Sequence, residues 1–563
     1  MNILGIGGYS HDSAAALIQD GVVVAAVAEE RLSRVKHQGG VPHLAVDWCL
    51  GEAGITRADV DHVGWYMRPG LRLARRLPYR LTTALRSPVY AAAYAGYELY
   101  HNANYVLEAR RLCPAGTGVH FLEHHPAHAA SAFLCSPFDE AALLSIDYVG
   151  EWAATWSGVG RGATITRLHQ TNYPNSLGVF YSALTDYLGF LRASDEYKVM
   201  GLASYGEPVY YDALKKVLRP GEDGAYRVDH RYTAWHYLPG SRYGYFSERF
   251  HREFGPRRRK DEPLTEHHRN MAASAQRLLE DIVLRRAEAL HRETGLKNLC
   301  LAGGVALNCS MNGRLKRESP FEQIWVQPAA GDDGIAIGAA LQLHHRFAGP
   351  ARRYRMDHAY LGPDADNEAI ESHLNLTKTP YTRSADIAGD TARLLAEGKI
   401  VGWYQGRMEF GPRALGSRSI LADPTRPDMK DLLNKYVKFR EEFRPFAPSV
   451  LAERAPEYFE GCTDSPFMLF VYPVRPEKQA EVPAITHIDG TARVQTVTES
   501  ANPRFYAMIQ AFAALRGAPM VLNTSFNVMG EPIVHTPADA LKCFYGTGMD
   551  ALAIGDFMVE KRI

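Results

Sequence analysis

The chain has 563 residues, with Lys plus Arg and Asp plus Glu both at 63, a hydrophobic fraction of 46% and an aromatic fraction of 10%. Zero formal charge argues against a dedicated nucleic-acid binder, whose affinity rests on excess positive charge. The length allows two large structural units or several smaller ones. No apolar run approaches the roughly 18 residues of a membrane span. Met1-Asn2 carries no basic n-region, and His11-Asp12 interrupts the apolar stretch, so no secretory signal is expected. Seven scattered cysteines without a Cys-x-x-Cys pair suit reduced thiols, and the expected location is cytoplasmic.

Taken in order, Asn2 to Ile6 reads as a strand broken by Gly7-Gly8. Ser13 to Gln19 and Val22 to Ala28 follow, joined by the hairpin signal Asp20-Gly21. Arg68 to Arg111 is helix-friendly, rich in Arg and Tyr, and reads as a helical insertion. It either contacts a substrate or covers the core. Ala141 to Asp147 is a strand, and Glu151 to Trp156 with Thr164 to Leu168 predicts a hairpin around Gly158 to Gly162. One unit of strand, polar loop and hairpin thus occurs twice. Such a duplication builds the two halves of actin-like ATPases and sugar kinases. The expected fold class is therefore α/β, with an actin-like, sugar-kinase-type duplicated domain first.

Two strand-to-helix units follow, Asn298 to Ala302 with Gly303-Gly304, and Gln323 to Gln327 with the helix from Ile335. Composition changes between Phe347 and Asp366, including Arg352-Arg353, and places a boundary there. The expected domains are 1–350 and 351–563. The second has strands of its own at Ile400 to Tyr404 and Met520 to Leu522.

His124 and His128 stand four apart, the spacing of a two-histidine metal grip on one helix face, with a pair of surface histidines, in a chain of 22, as the other reading. Pro126 prefers a first helical position, so the helix is expected to begin there, with His124 just before it. Asp147 closes a strand and Asp332 opens a loop before a helix, positions that face the ligand crevice of an α/β protein. Two imidazoles and two carboxylates suit a first-row divalent metal. Asp333 competes with Asp332 for that role, with a helix N-cap as its other reading. Paired glycines at 303 and 304, followed by Asn308, offer backbone N–H groups to a phosphate. Lys36 and Lys198 are further cations near glycines, either phosphate ligands or solvated surface lysines. His11 is either a general base oriented by Asp12 or a turn histidine. In the last third, Gly406 to Ser419, Lys438 to Pro448, Arg493 and Asn523 to Glu531 set several cations among glycines, with Ser525 and Asn527. This pattern makes either a phosphate pocket or a salt-bridged surface around Glu409, Glu441 and Glu442.

Together these residues resemble the O-carbamoyltransferases of the nodulation-protein-U and antibiotic-biosynthesis type. The resemblance rests on His11-Asp-Ser-Ala-Ala, Glu29-Glu-Arg-Leu-Ser-Arg-x-Lys-His, His124 and His128 with Asp147, and Lys198-Val-Met-Gly-Leu-Ala. It continues through Gly303-Gly304, Gly411-Pro-Arg-Ala-Leu-Gly-x-Arg, Phe443-Arg-Pro-Phe-Ala-Pro and Asn523-Thr-Ser-Phe-Asn, so it spans almost the whole chain.

The resemblance implies a C-terminal domain like the YrdC-type synthases, making carbamoyl-adenylate and pyrophosphate from carbamoyl phosphate and ATP. Arg413, Lys438, Arg440, Arg444, Arg493, Ser525 and Asn527 would hold those substrates, with Mg(2+) accompanying ATP. The N-terminal domain would bind Fe(2+) through His124, His128, Asp147 and Asp332. It would bind nucleotide through Lys36, Lys198, Gly303, Gly304 and Asn308. His11 would be the base for transfer to a hydroxyl of a small-molecule natural product. No nucleic acid or membrane partner is expected, and a homodimer is left open. The alternatives are threonylcarbamoyl-type transfer to tRNA and a non-catalytic ATP-binding module.

Overall fold

The computed structural model describes residues 1–84, 87–112, 114, 116–235, 244–351 and 354–561. Leu85 and Arg86 of the insertion, Cys113, and Arg352-Arg353 of the boundary lie outside the described residues. The chain divides into two compact units. One comprises Met1–Ala26 with Gly39–Arg355, the other Val27–Gln38 with Met356–Ile563.

The first unit opens with β1 (Asn2–Gly7), β2 (Ala14–Gln19) and β3 (Val22–Ala28). The hairpin between β2 and β3 turns on Asp20 and Gly21, with φ of 48° and 88°. Positive φ at both positions matches the strand twist, and aspartate followed by glycine supplies it cheaply. β1 and β2 are antiparallel, from Asn2 opposite Gln19 to Gly7 opposite Ala14. β4 (His62–Tyr66) lies parallel to β1, and β5 (Gly118–Leu122) parallel to β4. The sheet order is β3-β2-β1-β4-β5.

The second sheet repeats this plan. β6 (Glu140–Ile146), β7 (Ala153–Arg161) and β8 (Thr164–Asn172) form an antiparallel set. β9 (Asn298–Ala302) lies parallel to β6, and β10 (Gln323–Val326) parallel to β9. Read from β8, the order is again third, second, first, fourth, fifth. This is the duplicated actin-like arrangement expected from the repeated unit. The predicted hairpin forms, but its loop is shorter than Gly158 to Gly162. β7 runs through Gly158-Val159-Gly160 to Arg161, and the reversal falls at Gly162, whose φ is 58°. The Phe133 ring occupies the space that a side chain at Gly160 would need, so that glycine serves packing inside the strand.

Between β4 and β5 the insertion forms α1 (Pro69–Ala84) and α2 (Pro88–Arg111). α3 (His124–Phe133) follows β5, and α4 (Ile335–Ala348) follows β10. α4 packs on both α3 and β1, which joins the two halves through one helical layer. No helix among the described residues is long and apolar enough to cross a membrane.

The second unit carries an eight-stranded mixed sheet. Its centre includes β11 (Val401–Tyr404), β12 (Arg418–Ala422), β13 (Ala447–Leu451) and β14 (Met520–Ser525). Trp403, Leu421, Val521, Phe505, Met508 and Phe512 bury one core under it. The segment 27–38 belongs here, which corrects the expected first domain of 1–350. The reason is two arginines satisfying backbone carbonyls of this unit. Arg31 donates to Gly411 O at 3.0 Å. Arg34 donates to Ile533 O at 2.6 Å and Pro532 O at 3.0 Å, and lies 3.3 Å from Asp539.

Candidate metal centre and cation cluster

α3 begins at His124, two residues earlier than Pro126 suggests, with Glu123 as its N-cap residue. Pro126 is then the third helical residue, where the missing N–H has no intrahelical acceptor to lose. The Glu151 carboxylate accepts the His124 N–H at 3.1 Å, satisfying a first-turn donor. One helical turn on, His128 presents its ring to the same side.

Both rings converge on two carboxylates. Asp147 follows β6, and its Oδ2 lies 2.9 Å from His124 Nε2 and 3.3 Å from His128 Nε2. Its Oδ1 accepts the Gly304 N–H at 3.1 Å. Asp332 Oδ1 lies 3.7 Å from His124 Nε2 and 3.5 Å from His128 Nε2. One ligand atom from each of the four lies within 4.8 Å of every other, and all four residues are buried. Asp333 stands apart from this group and accepts the Gly334 N–H at 3.0 Å.

The electrostatics bind the group together. Burial works against charge on His128, yet its contacts with Asp147 and Asp332 outweigh it and raise the imidazole to about 9. Burial likewise opposes ionised Asp147, and the two histidines hold it well below the usual carboxylate range. Two imidazole nitrogens and two carboxylate oxygens, buried and convergent, fit a divalent transition metal by number and by donor chemistry.

His11 lies on the loop after β1, half-exposed, with Nδ1 3.1 Å from Asp12 Oδ2. Burial opposes its charge, but Asp12, Asp332 and Asp147 prevail and raise it to about 10. The same loop is pinned near the cage, because Ser10 N–H donates to Tyr66 Oη at 3.4 Å and the Tyr66 ring lies 5.5 Å from that of His124.

Of the predicted N-terminal nucleotide residues, Gly303, Gly304 and Asn308 share one turn after β9, and Lys198 lies on the helix Glu196–Ala203 of the same unit. Lys36 lies in the second unit, which corrects its assignment to the first. Gly303 adopts φ of 87°, and a Cβ there would meet Ile146 O at 2.3 Å. With Gly304 bonding Asp147, this turn braces the end of β6. Asn308 caps the helix Cys309–Glu318, accepting Met311 N–H at 3.0 Å, and pairs with Gln276 at 2.9 and 3.0 Å. Lys198 is buried, 3.2 Å from Asp195.

In the second unit Lys438 is 3% exposed. Its Nζ donates at 2.7 Å to each of Ser525 O, Asn527 O and Asn527 Oδ1, with Ser525 Oγ at 3.3 Å. Burial pushes it well below the usual lysine range, and the fields of Arg440, Arg444 and Lys36 act in the same direction. Lys438, Ser525 and Asn527 are therefore together, with three more cations close. Arg440 donates to Asn434 Oδ1 at 2.7 Å and lies over Phe446 at 4.4 Å. Arg444 is 3.8 Å from Glu441. Arg493 ends the strand Thr491–Arg493 with its Nε buried and unbonded. Arg413 is half-buried in the loop before β12.

Two residues have roles that the sequence reading did not assign to them. Glu409 Oε1 accepts three backbone N–H groups, from Leu415, Ser417 and Arg418. Arg418 is fully buried, donates to Gln405 O at 3.0 Å, Gly406 O at 2.8 Å and Pro363 O at 3.2 Å, and stacks on Tyr404 at 3.6 Å. Both organise the glycine-rich loop from within. The available signal was an acid and a base flanking a loop too rich in backbone donors to be buried unaided.

The chain thus joins an actin-like unit with a buried two-histidine, two-aspartate cage to an α/β unit with clustered cations. Residues 2–341 match the carbamoyltransferase N-terminus and residues 392–561 the carbamoyltransferase C-terminus, so the chain belongs to the carbamoyltransferase family. It is 46% identical to an uncharacterised protein of Synechocystis, over 100% of this chain and 97% of that one. It is 40% identical to nodulation protein NolNO of Sinorhizobium fredii, covering 98% of this chain and 79% of that protein. Nodulation protein U of Rhizobium tropici is 31% identical over 97% of this chain and 94% of its own length. Full-length HypF in its phosphate- and nucleotide-bound form aligns with 62% of this chain and 56% of its own at 14% identity, with a TM-score of 0.33, too slight a likeness to carry an assignment.

Proposed function

We propose that this carbamoyltransferase is an ATP-dependent O-carbamoyltransferase of small-molecule natural products. Its C-terminal unit, read as YrdC-like, converts carbamoyl phosphate, water and ATP into carbamoyl-adenylate, phosphate and pyrophosphate. Its N-terminal unit passes the carbamoyl group from the adenylate to an acceptor hydroxyl, releasing AMP. The observation that carries this reading is the buried cage of His124, His128, Asp147 and Asp332 beside the His11 loop, in a chain of this family.

A divalent metal, Fe(2+) by resemblance, held by those four residues would supply a Lewis acid for the carbamoyl carbonyl. The chain's own groups account for the rest. Asp12 fixes one face of His11 through Nδ1, leaving Nε2 toward the acceptor. Against burial, Asp12, then Asp332 and Asp147, raise the His11 imidazole. With the charge of Asp332 and Asp147 spent on a dication, their share of that hold would fall away and Nε2 could take the hydroxyl proton. In the C-terminal unit, Lys438 locks Ser525 and Asn527 in place, while Arg440, Arg444 and Lys36 provide a positive field for phosphate groups. Arg413 and Arg493 complete the proposed donor set.

Carbamoyl-phosphate-dependent exchange of labelled pyrophosphate into ATP tests this. Exchange is expected, with its loss in Arg444→Ala and Ser525→Glu. Undiminished exchange in both variants would refute the C-terminal assignment.

A further inference from the structure

The helical insertion carries a buried charge cluster that reaches the metal centre. Glu98 of α2 is fully buried and bonded to two arginines of α1. Arg72 Nε donates to it at 2.8 Å, and Arg76 Nη1 at 3.2 Å. Burial opposes the Glu98 charge, and the two guanidinium groups keep it below the usual range. The rest of Arg76 points elsewhere: Nε donates to Glu151 O at 2.7 Å and Nη2 to Gly150 O at 2.5 Å.

Those carbonyls belong to the loop 147–151, which forms one wall of the cage. Asp147 stands at its start. Gly150 leaves room for His124: a Cβ there would lie 2.8 Å from His124 Cβ and 2.9 Å from the ring's Cγ and Cδ2. Glu151 closes the loop, its Oε1 shared between the His124 N–H at 3.1 Å and the Arg68 N–H at 2.8 Å. Arg68 is the residue that leads into α1. One loop therefore carries a ligand, abuts a second ligand and caps the helix of both histidines, while the insertion grips it at two carbonyls and one carboxylate.

We propose that Arg76, held by Glu98, is a positioning residue of the metal centre, and that the insertion is a structural part of that centre. This rests on the cage being a metal site. A planar guanidinium can span two adjacent carbonyls and a carboxylate at once, which an ammonium cannot match. Residues that orient ligands from outside the first layer govern metal affinity about as strongly as 10- to 100-fold.

The test compares wild type with Arg76→Lys and Glu98→Gln in the full chain, at a temperature where circular dichroism shows all three folded. Arg76→Lys keeps the charge, so it remains informative where Glu98→Gln, which strands two buried arginines, fails to fold. In the metal-free proteins, amide hydrogen exchange across 148–154 is expected to quicken by about tenfold or more. With Co(II) as probe, the dissociation constant should rise by about tenfold or more, with a changed visible absorption band. A purely structural Arg76 lowers the melting temperature and leaves loop exchange and the cobalt spectrum unchanged, which would overturn the proposal. Faster loop exchange with unaltered cobalt binding would also overturn it. Wild-type protein that binds no cobalt would remove the metal reading itself and this inference with it, whereas the exchange arm still reports whether Arg76 clamps the loop.

Discussion

Gly304 donates its backbone N–H to Asp147 Oδ1 at 3.1 Å, which leaves Oδ2 aimed at both cage histidines. A glycine pair that reads as a phosphate cradle thus supports a carboxylate, with the N–H acting on a fixed anion of the chain. Gly303→Ala should be costly on two counts: φ of 87° is poor for alanine, and its Cβ would meet Ile146 O at 2.3 Å. A loss of stability exceeding ~1 kcal/mol is expected in urea unfolding. Metal content per folded chain should fall with it. Unaltered stability and metal content would show that the turn does not brace Asp147.

Asp332 and Asp333 separate cleanly in space although they are adjacent in sequence. Asp332→Asn removes one anionic donor from the cage and should weaken metal binding at least tenfold, on the order of an outer-shell loss or greater. Asp333 accepts the Gly334 N–H and is not among the four convergent ligand residues, so Asp333→Asn should retain wild-type metal content. Elemental analysis of the two purified variants distinguishes them, and equal depletion in both would move the ligand assignment.

Much of this was legible in the residues. The duplication showed as two strand-and-hairpin patterns because β-hairpins announce themselves locally, through Asp20-Gly21 and alternating apolar runs. His124, Asp147 and Asp332 were recognisable because each stands at the start or end of an element, where side chains face a crevice, and His128 because it follows His124 by one helical turn. What sequence cannot display is a partner far along the chain. Lys36 follows three strands of the first unit, yet Arg31 and Arg34 bind carbonyls near 411 and 532–533. Asn308 is polar and follows paired glycines, but its amide is committed to capping a helix and to Gln276. Such roles depend on which distant donor or acceptor tertiary packing supplies.

His11 is the test of the division of labour. His11→Asn should leave carbamoyl-phosphate-dependent pyrophosphate exchange intact, because that reaction is assigned to the other unit. Carbamoylated product should fall by ~10²-fold or more, the usual scale for removing a general base. Product formation at the wild-type rate would exclude His11 as the base.

His535 gives the C-terminal unit an acid-sensitive feature. Burial, the largest influence, lowers its imidazole to about 4, against a rise due to Asp539 and further lowering by Arg418 and Arg34. A folded value below the unfolded one means the neutral ring is preferred in the fold. Its contribution is whole above ~6.5 and is lost as pH falls from there toward about 4. Each pH unit in that window should cost ~1.4 kcal/mol. Replacing it, His535→Asn, should flatten the stability profile between those limits in urea titrations. A wild-type slope in the variant would assign the acid limb to other groups.

Arg418 is a cation that the fold cannot release. It is 0% exposed, is surrounded by backbone carbonyls and lies on the Tyr404 ring, while Glu409 holds the same loop by three N–H groups. Arg418→Lys keeps the charge but loses the planar fork, so it cannot reach Pro363 O and Gln405 O together. Breaking such a buried set should cost ~3 kcal/mol or more. That should appear as a lowered urea midpoint of the C-terminal unit. Because Arg418 is spent on the loop's own carbonyls, the folded fraction of Arg418→Lys should retain the wild-type KM for ATP in pyrophosphate exchange. A large rise in that KM without loss of stability would instead make Arg418 a substrate ligand, and the loop's internal bracing would then rest on Glu409.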